Sequence, residues 1–222
     1  MAHSPTTLPA EHEHSPFLQH HFAEMRQQSE ASKTGMWLFL VTEVLLFGGL
    51  FVGYGITHMK HPEAFREAHH HLDRIMGALN TIVLLVSSFT MVMGVWAASM
   101  GKRKLLILFL VLTLVCAGIF LVVKYFEYSH KFHDGLLPGK YYTHQGDTVP
   151  GQFLFFGFYF MMTGLHGIHV VIGMIAIGWI LVRAIKGHFG PDYYGPVDLV
   201  GLYWHLVDMI WIYLFPLMYL LS

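Results

Sequence analysis

Five long apolar stretches leave few folds open to this 222-residue chain. They run over roughly 34–57, 75–100, 105–128, 152–182 and 197–221. Each matches or exceeds the ~20 residues that carry a helix across a bilayer. Hydrocarbon offers the backbone no hydrogen-bond partners, so a span of this length must satisfy itself as a helix. The expected fold is all-α, a polytopic membrane bundle of five transmembrane helices. Composition points the same way. Charged residues make up 12% of the chain, about half of what a soluble domain needs to face water. That excludes a soluble enzyme and a disordered chain. A net charge of −1 offers no general attraction to nucleic acid.

The polar segments divide the chain into an N-terminal tail, 1–33, rich in histidine and proline, and a five-helix domain, 34–222. The tail carries Glu11, Glu13, Glu24 and Glu30 without an apolar core, so the first span is expected to direct its own insertion. Orientation follows from the basic residues. Arg26, Lys33, Lys102, Arg103, Lys104, Arg183 and Lys186 lie on one side, and Lys60, Arg66, Arg74, Lys131 and Lys140 on the other. The first set is the larger and includes the short basic turn 101–104, so the N-terminus is expected inside and the C-terminus outside. Tyr141, Tyr142, Tyr193 and Tyr194 suit an interfacial aromatic belt. No internal repeat stands out, which argues against a duplicated transporter. The single cysteine, Cys116, lies in an apolar run and reads as a small packed residue.

Ionisable residues inside such spans are functional candidates, because each costs about 2.5–3.5 kcal/mol or more at mid-membrane. Glu43 sits near the middle of the first span, among Phe39, Leu40, Leu46 and Phe47. None of these can pair with it, so it is expected to be protonated or bonded to another helix. Lys124 and Glu127 are one turn apart near the end of the third span and could pair there. Lys124 is otherwise expected to snorkel to the interface. His166 and His169 share a face of the fourth span beside Gly164 and Gly167, which would admit a close neighbouring helix. His205 and Asp208 are similarly spaced in the fifth, among Tyr203, Trp204 and Trp211. Gly49 and Gly53 form a GxxxG packing pattern.

Histidine is abundant, with 17 in the chain. His58, His61, His69, His70, His71, His130 and His133 sit in tracts that resemble metal-binding segments. Glu67/His70 and Glu127/His130 have the Glu-x-x-His spacing of di-iron bundles. A histidine-box di-iron membrane oxidase is therefore a different-class alternative. Against it, these pairs fall in or beside loops and not at one membrane depth.

Taken in order, the motifs are similar to those of one family. The segment from Gly35 to Phe47 resembles the helix with the intramembrane glutamate of subunit III of haem–copper cytochrome c oxidases. Leu79-Asn80-Thr81 with Leu84 to Ser88 resembles the next helix, and Glu127-Tyr128 its Glu-Tyr motif. Gly164, His166, His169 and Gly173, and then Tyr203, Trp204, His205, Asp208 and Trp211, resemble its two most specific signatures. The likeness runs from about Gly35 to the C-terminus and matches the short five-helix bacterial form. Lys124 stands where the family often has glutamine, and the histidine-rich tail has no recognised counterpart.

The resemblance implies an accessory subunit of an aa3-type cytochrome c oxidase in a bacterial cytoplasmic membrane. Such a subunit has no catalytic residue, metal or cofactor of its own; haem and copper belong to partner subunits. A haem–copper centre needs about six intramembrane imidazoles, and these spans hold His166, His169 and His205. The implied partners are subunits I and II and structural phospholipid; whether the oxidase joins a respiratory supercomplex is left open by the sequence. The implied lipid-cleft and proton-related residues are Glu43, His166, His169 and Glu127. An unpaired carboxyl in a span needs a partner, so Glu43 is expected to bond to His169 or His166. Tyr203, Trp204, His205, Asp208 and Trp211 form a structural motif. Quinol-oxidase and nitric-oxide-reductase-associated subunits are the nearest rivals within the family.

Overall fold

The computed structural model describes residues 18–20, 22–69, 72–137, 151–191 and 193–220. Six α-helices follow one another among the described residues: α1 Met25–Lys60, α2 Pro62–His69, α3 Arg74–Ser99, α4 Arg103–His133, α5 Gln152–Ile185 and α6 Gly195–Phe215. A π-helical turn, Pro216–Leu220, prolongs α6. All except α2 are long and apolar enough to cross a membrane.

The helices start and stop for local reasons. α1 begins at Met25 rather than Thr34, its polar first turns carrying an Arg26–Glu30 pair at 2.8 Å with i,i+4 spacing. Asp73 caps α3, its carboxylate accepting from the amides of Ile75 at 2.9 Å and Met76 at 3.1 Å. α3 turns into α4 through Gly101, whose φ of +67° suits a residue without Cβ. Arg103 then reaches across to the C-terminus of α5. Its Nε donates to Ala184 O at 3.1 Å and its Nη2 to Ile185 O, filling two carbonyls left open at the helix end.

The first loop holds a helix that its polar composition conceals. α2 buries Ala64, Phe65, Ala68 and His69 against α5 and turns Glu63 and Arg66 outward. Phe65 meets Tyr54 and Phe155 edge-on, with centroids 5.3 and 5.4 Å away. His70, His71, Tyr141, Tyr142, the loop 138–150 and residues 1–17 of the tail lie outside the described residues.

α3, α4, α5 and α6 close into a ring, α3 against α4 and α6, and α5 against the same two. α1 lies outside this ring against α5 and α6 and leaves Trp37, Leu38, Val41 and Leu45 exposed to the surroundings. Leu84, Met91, Phe120, Trp204 and Trp211 fill the centre. The close approach expected at the small residues is found at only some of them. A Cβ on Gly53 would lie 3.3 Å from Phe158 Cε1 on α5, whereas one on Gly49 or Gly167 would meet nothing within 4 Å, and one on Gly164 only the Tyr128 hydroxyl at 3.8 Å. A Cβ on Gly173 would lie 2.6 Å from Trp204 Cε3, and one on Gly77 2.7 Å from Phe215 Cε2. Bulky α6 aromatics need these two glycines.

Candidate functional site: polar clusters inside the bundle

Glu43 reaches from α1 to His169 on α5, with Oε2 2.9 Å from Nε2. Side-chain exposures of 14% and 11% withdraw the pair from most of its surroundings. The other ring nitrogen, Nδ1, lies 2.8 Å from Leu165 O. A carbonyl oxygen only accepts, so Nδ1 carries a proton. Nε2 is then either a lone pair facing a protonated Glu43 or the second N–H of an imidazolium facing a carboxylate. One proton lies between the two residues in both cases, and the pair is neutral overall. Phe47 meets the ring edge-on at 5.3 Å, and Tyr203 donates to His169 O at 3.1 Å. Thus α1 and α5 share one proton, and α6 is bonded to the α5 backbone beside it.

His166 does not join this site. Its ring is buried between Phe120, 5.5 Å away, and Trp211, 5.3 Å away. Neither ring nitrogen has a hydrogen-bond partner among the described residues. The three-residue step rotates successive side chains by about 60°, enough to turn His169 toward α1 and His166 into the ring.

Glu127 belongs to a second cluster. Its Oε2 accepts from Lys124 Nζ at 2.8 Å, and its Oε1 from Lys131 Nζ at 3.2 Å, Tyr159 Oη at 2.8 Å and Tyr219 Oη at 2.6 Å. Lys124 also donates to Tyr219 Oη at 2.7 Å and lies 4.6 Å over the Trp211 ring. The snorkelling expected of Lys124 is therefore corrected. It is 8% exposed, because a carboxylate one turn on and an aromatic face hold the ammonium inside. The cluster also weighs against the Glu127/His130 di-iron alternative. Four donors already occupy the Glu127 carboxylate, and two of them are ammonium groups that a metal ion would repel.

The third cluster is the seam between α3 and α6. Trp204 Nε1 donates to Ser87 Oγ at 3.0 Å, and Trp211 Nε1 to Thr81 Oγ1 at 3.1 Å. His205 Nδ1 lies 2.8 Å from Ser88 Oγ. Asp208 is buried in the same seam, beside Ser88. The two motifs that look separate in the chain are the two sides of one interface. His166, His169 and His205 face three different neighbours and do not converge on one point.

The spacing of the chain missed several of these residues. Lys131 stands four residues after Glu127, a signal the i,i+4 rule could have used. Tyr159, Tyr219 and the partners of the two tryptophans come from remote helices and left no local trace.

The sequence profile described as cytochrome c oxidase subunit III matches residues 13–222. It starts within the segment set apart above as a tail. Among individual proteins, the chain is 34% identical over 188 residues to "Cytochrome c oxidase subunit 3" of Synechocystis sp., covering 84% of this chain and 74% of the relative. It is 32% identical to "Cytochrome c oxidase subunit 3" of Corynebacterium diphtheriae, covering 85% and 87%. It is 30% identical to "Quinol oxidase subunit 3" of Bacillus spizizenii, covering 90% and 93%.

Proposed function

Because this chain belongs to the cytochrome c oxidase subunit III family, we propose that it is the accessory subunit III of an aa3-type cytochrome c oxidase in a bacterial cytoplasmic membrane. It packs on subunit I beside subunit II, holds structural phospholipid, and supports proton uptake and sustained turnover by the redox centres of its partners. The observation that supports this reading most is how the polar residues are used. The Glu127 cluster and the α3–α6 seam spend theirs on holding helices together. Glu43–His169 leaves one exchangeable proton at a partly open junction. Relatives named for either electron donor match this chain about equally; Glu43 and the Glu127 motif favour cytochrome c.

Purification through this chain in mild detergent tests the reading. The expected preparation is coloured, shows haem a bands in a reduced-minus-oxidised spectrum, contains a large partner and oxidises cytochrome c. Oxidation of quinol alone would move the chain to the quinol branch, and a colourless solitary chain would overturn the reading. Glu43→Gln tests the junction. The glutamine amide can still donate to His169 Nε2, so the helix contact survives while the shared proton is lost. The complex should assemble with unchanged haem content, then lose lipid and inactivate earlier during turnover. A wild-type turnover lifetime and lipid content would remove Glu43 from this role.

A further inference from the structure

Two polar side chains inside the four-helix ring belong to none of the clusters above. Asn80 of α3 and His166 of α5 are both 0% exposed. Neither amide atom of Asn80 and neither ring nitrogen of His166 has a hydrogen-bond partner among the described residues.

Both residues lie at the level of Trp211. The His166 ring is 5.3 Å from the indole, and the indole N–H goes to Thr81, the residue after Asn80. Asn80 falls on the buried face of α3 with Gly77, Leu84, Ser87 and Met91. The rings around His166 offer its nitrogens nothing: Phe120 has no polar group, and the one N–H of Trp211 is already bonded. α3 and α5 stand on opposite sides of the ring, each packed on α4 and α6. The two side chains therefore enter its centre from opposite sides.

The chemistry of the two groups selects what can join them. A carboxamide presents N–H donors and an oxygen acceptor, and a neutral imidazole one N–H and one lone pair. Each needs a donor and an acceptor at once. A metal cation would serve only the acceptors, and an anion only the donors. Water serves both, and a buried water typically makes about three hydrogen bonds to groups of this kind. Without such a partner each group would bear the full penalty of its removal from water.

We propose that ordered water inside the ring bridges Asn80 and His166 and ties α3 to α5 at the level of Trp211. The site is separate from the Glu43–His169 junction, because His169 turns toward α1 and His166 into the ring. It belongs to the ring itself and does not depend on the identity of the electron donor.

The test is a double-substitution cycle on the complex purified through this chain in mild detergent. Asn80→Leu and His166→Phe each replace a polar group by an apolar one of similar size. With a bridging water, either single substitution leaves the water and the opposite group short of a partner. The thermal midpoint should then drop by about 2–4 °C, the shift for one buried hydrogen bond in a chain of this length. The double variant should lose clearly less than the sum, since no polar group is left unpaired. Groups without a bridge predict the opposite sign, because an apolar replacement then leaves the midpoint unchanged or raises it. That result, or losses that simply add, overturns the proposal. A structure of the wild-type complex fine enough to show ordered water decides the matter if a variant does not assemble. Water joining the two side chains is expected there. Direct contact between them, or no water link, overturns the proposal.

Discussion

Replacing Glu127 by leucine should destabilise this subunit by about 3–5 kcal/mol, the usual effect of removing one partner from a buried ionic cluster. The carboxylate accepts from Lys124, Lys131, Tyr159 and Tyr219. Without it, two ammonium groups that are 8% and 3% exposed face each other with no anion between them. Both phenol groups lose their acceptor as well. The loss should appear as a lower midpoint in detergent thermal unfolding and a reduced yield of intact complex. A variant that also replaces Lys124 and Lys131 by methionine should recover much of the loss, because replacing a whole buried ionic set is far less costly than breaking it. If the leucine variant unfolds at the wild-type temperature, the cluster does not hold α4, α5 and the terminal turn together.

Gly173→Leu should be comparably damaging for a steric reason. A Cβ at this position would stand 2.6 Å from Trp204 Cε3 and 2.7 Å from Cζ3. The indole cannot swing away cheaply, since it is fully buried and donates to Ser87. Either α5 and α6 separate or Trp204 gives up its bond to α3, and overpacking of this kind costs about 1–3 kcal/mol or more. Gly178→Leu on the same helix meets open space and should leave stability near wild type. The contrast is measurable in one thermal unfolding series. Equal stability of the two variants would show that α5 and α6 do not approach closely at Gly173.

Much of the site was visible in the chain because burial of charge in hydrocarbon is so costly. Glu43, Lys124, Glu127 and Asp208 could be picked out with no structure, since each must have a reason to be in its span. Pairing within one helix was visible too, as Lys124 with Glu127 shows. Pairing between helices was narrowed but not decided. Glu43 needed a donor, and both His166 and His169 were available at nearly the same height. The rotation between them along α5 placed one beside Glu43 and sealed the other between Phe120 and Trp211. Lys124 illustrates the opposite limit. Its place near a span end suggested an interfacial side chain, and a tyrosine from the end of the chain with a tryptophan from α6 drew it inward.

What the amino-acid order determined by itself was the number of crossings and the helical class. Both follow from apolar length and from the backbone's need to satisfy its own hydrogen bonds in lipid. It also marked the signature residues, through charge and histidine in places where neither is free. Only the tertiary structure decided which faces meet: α2 docked on α5, Trp204 and Trp211 bonded to Ser87 and Thr81, and α1 set outside the ring. Apolar spans are oily on every side, so periodicity cannot say which side turns inward. Packing of small residues against large ones, and the pairing of the few polar groups, settles that choice in three dimensions.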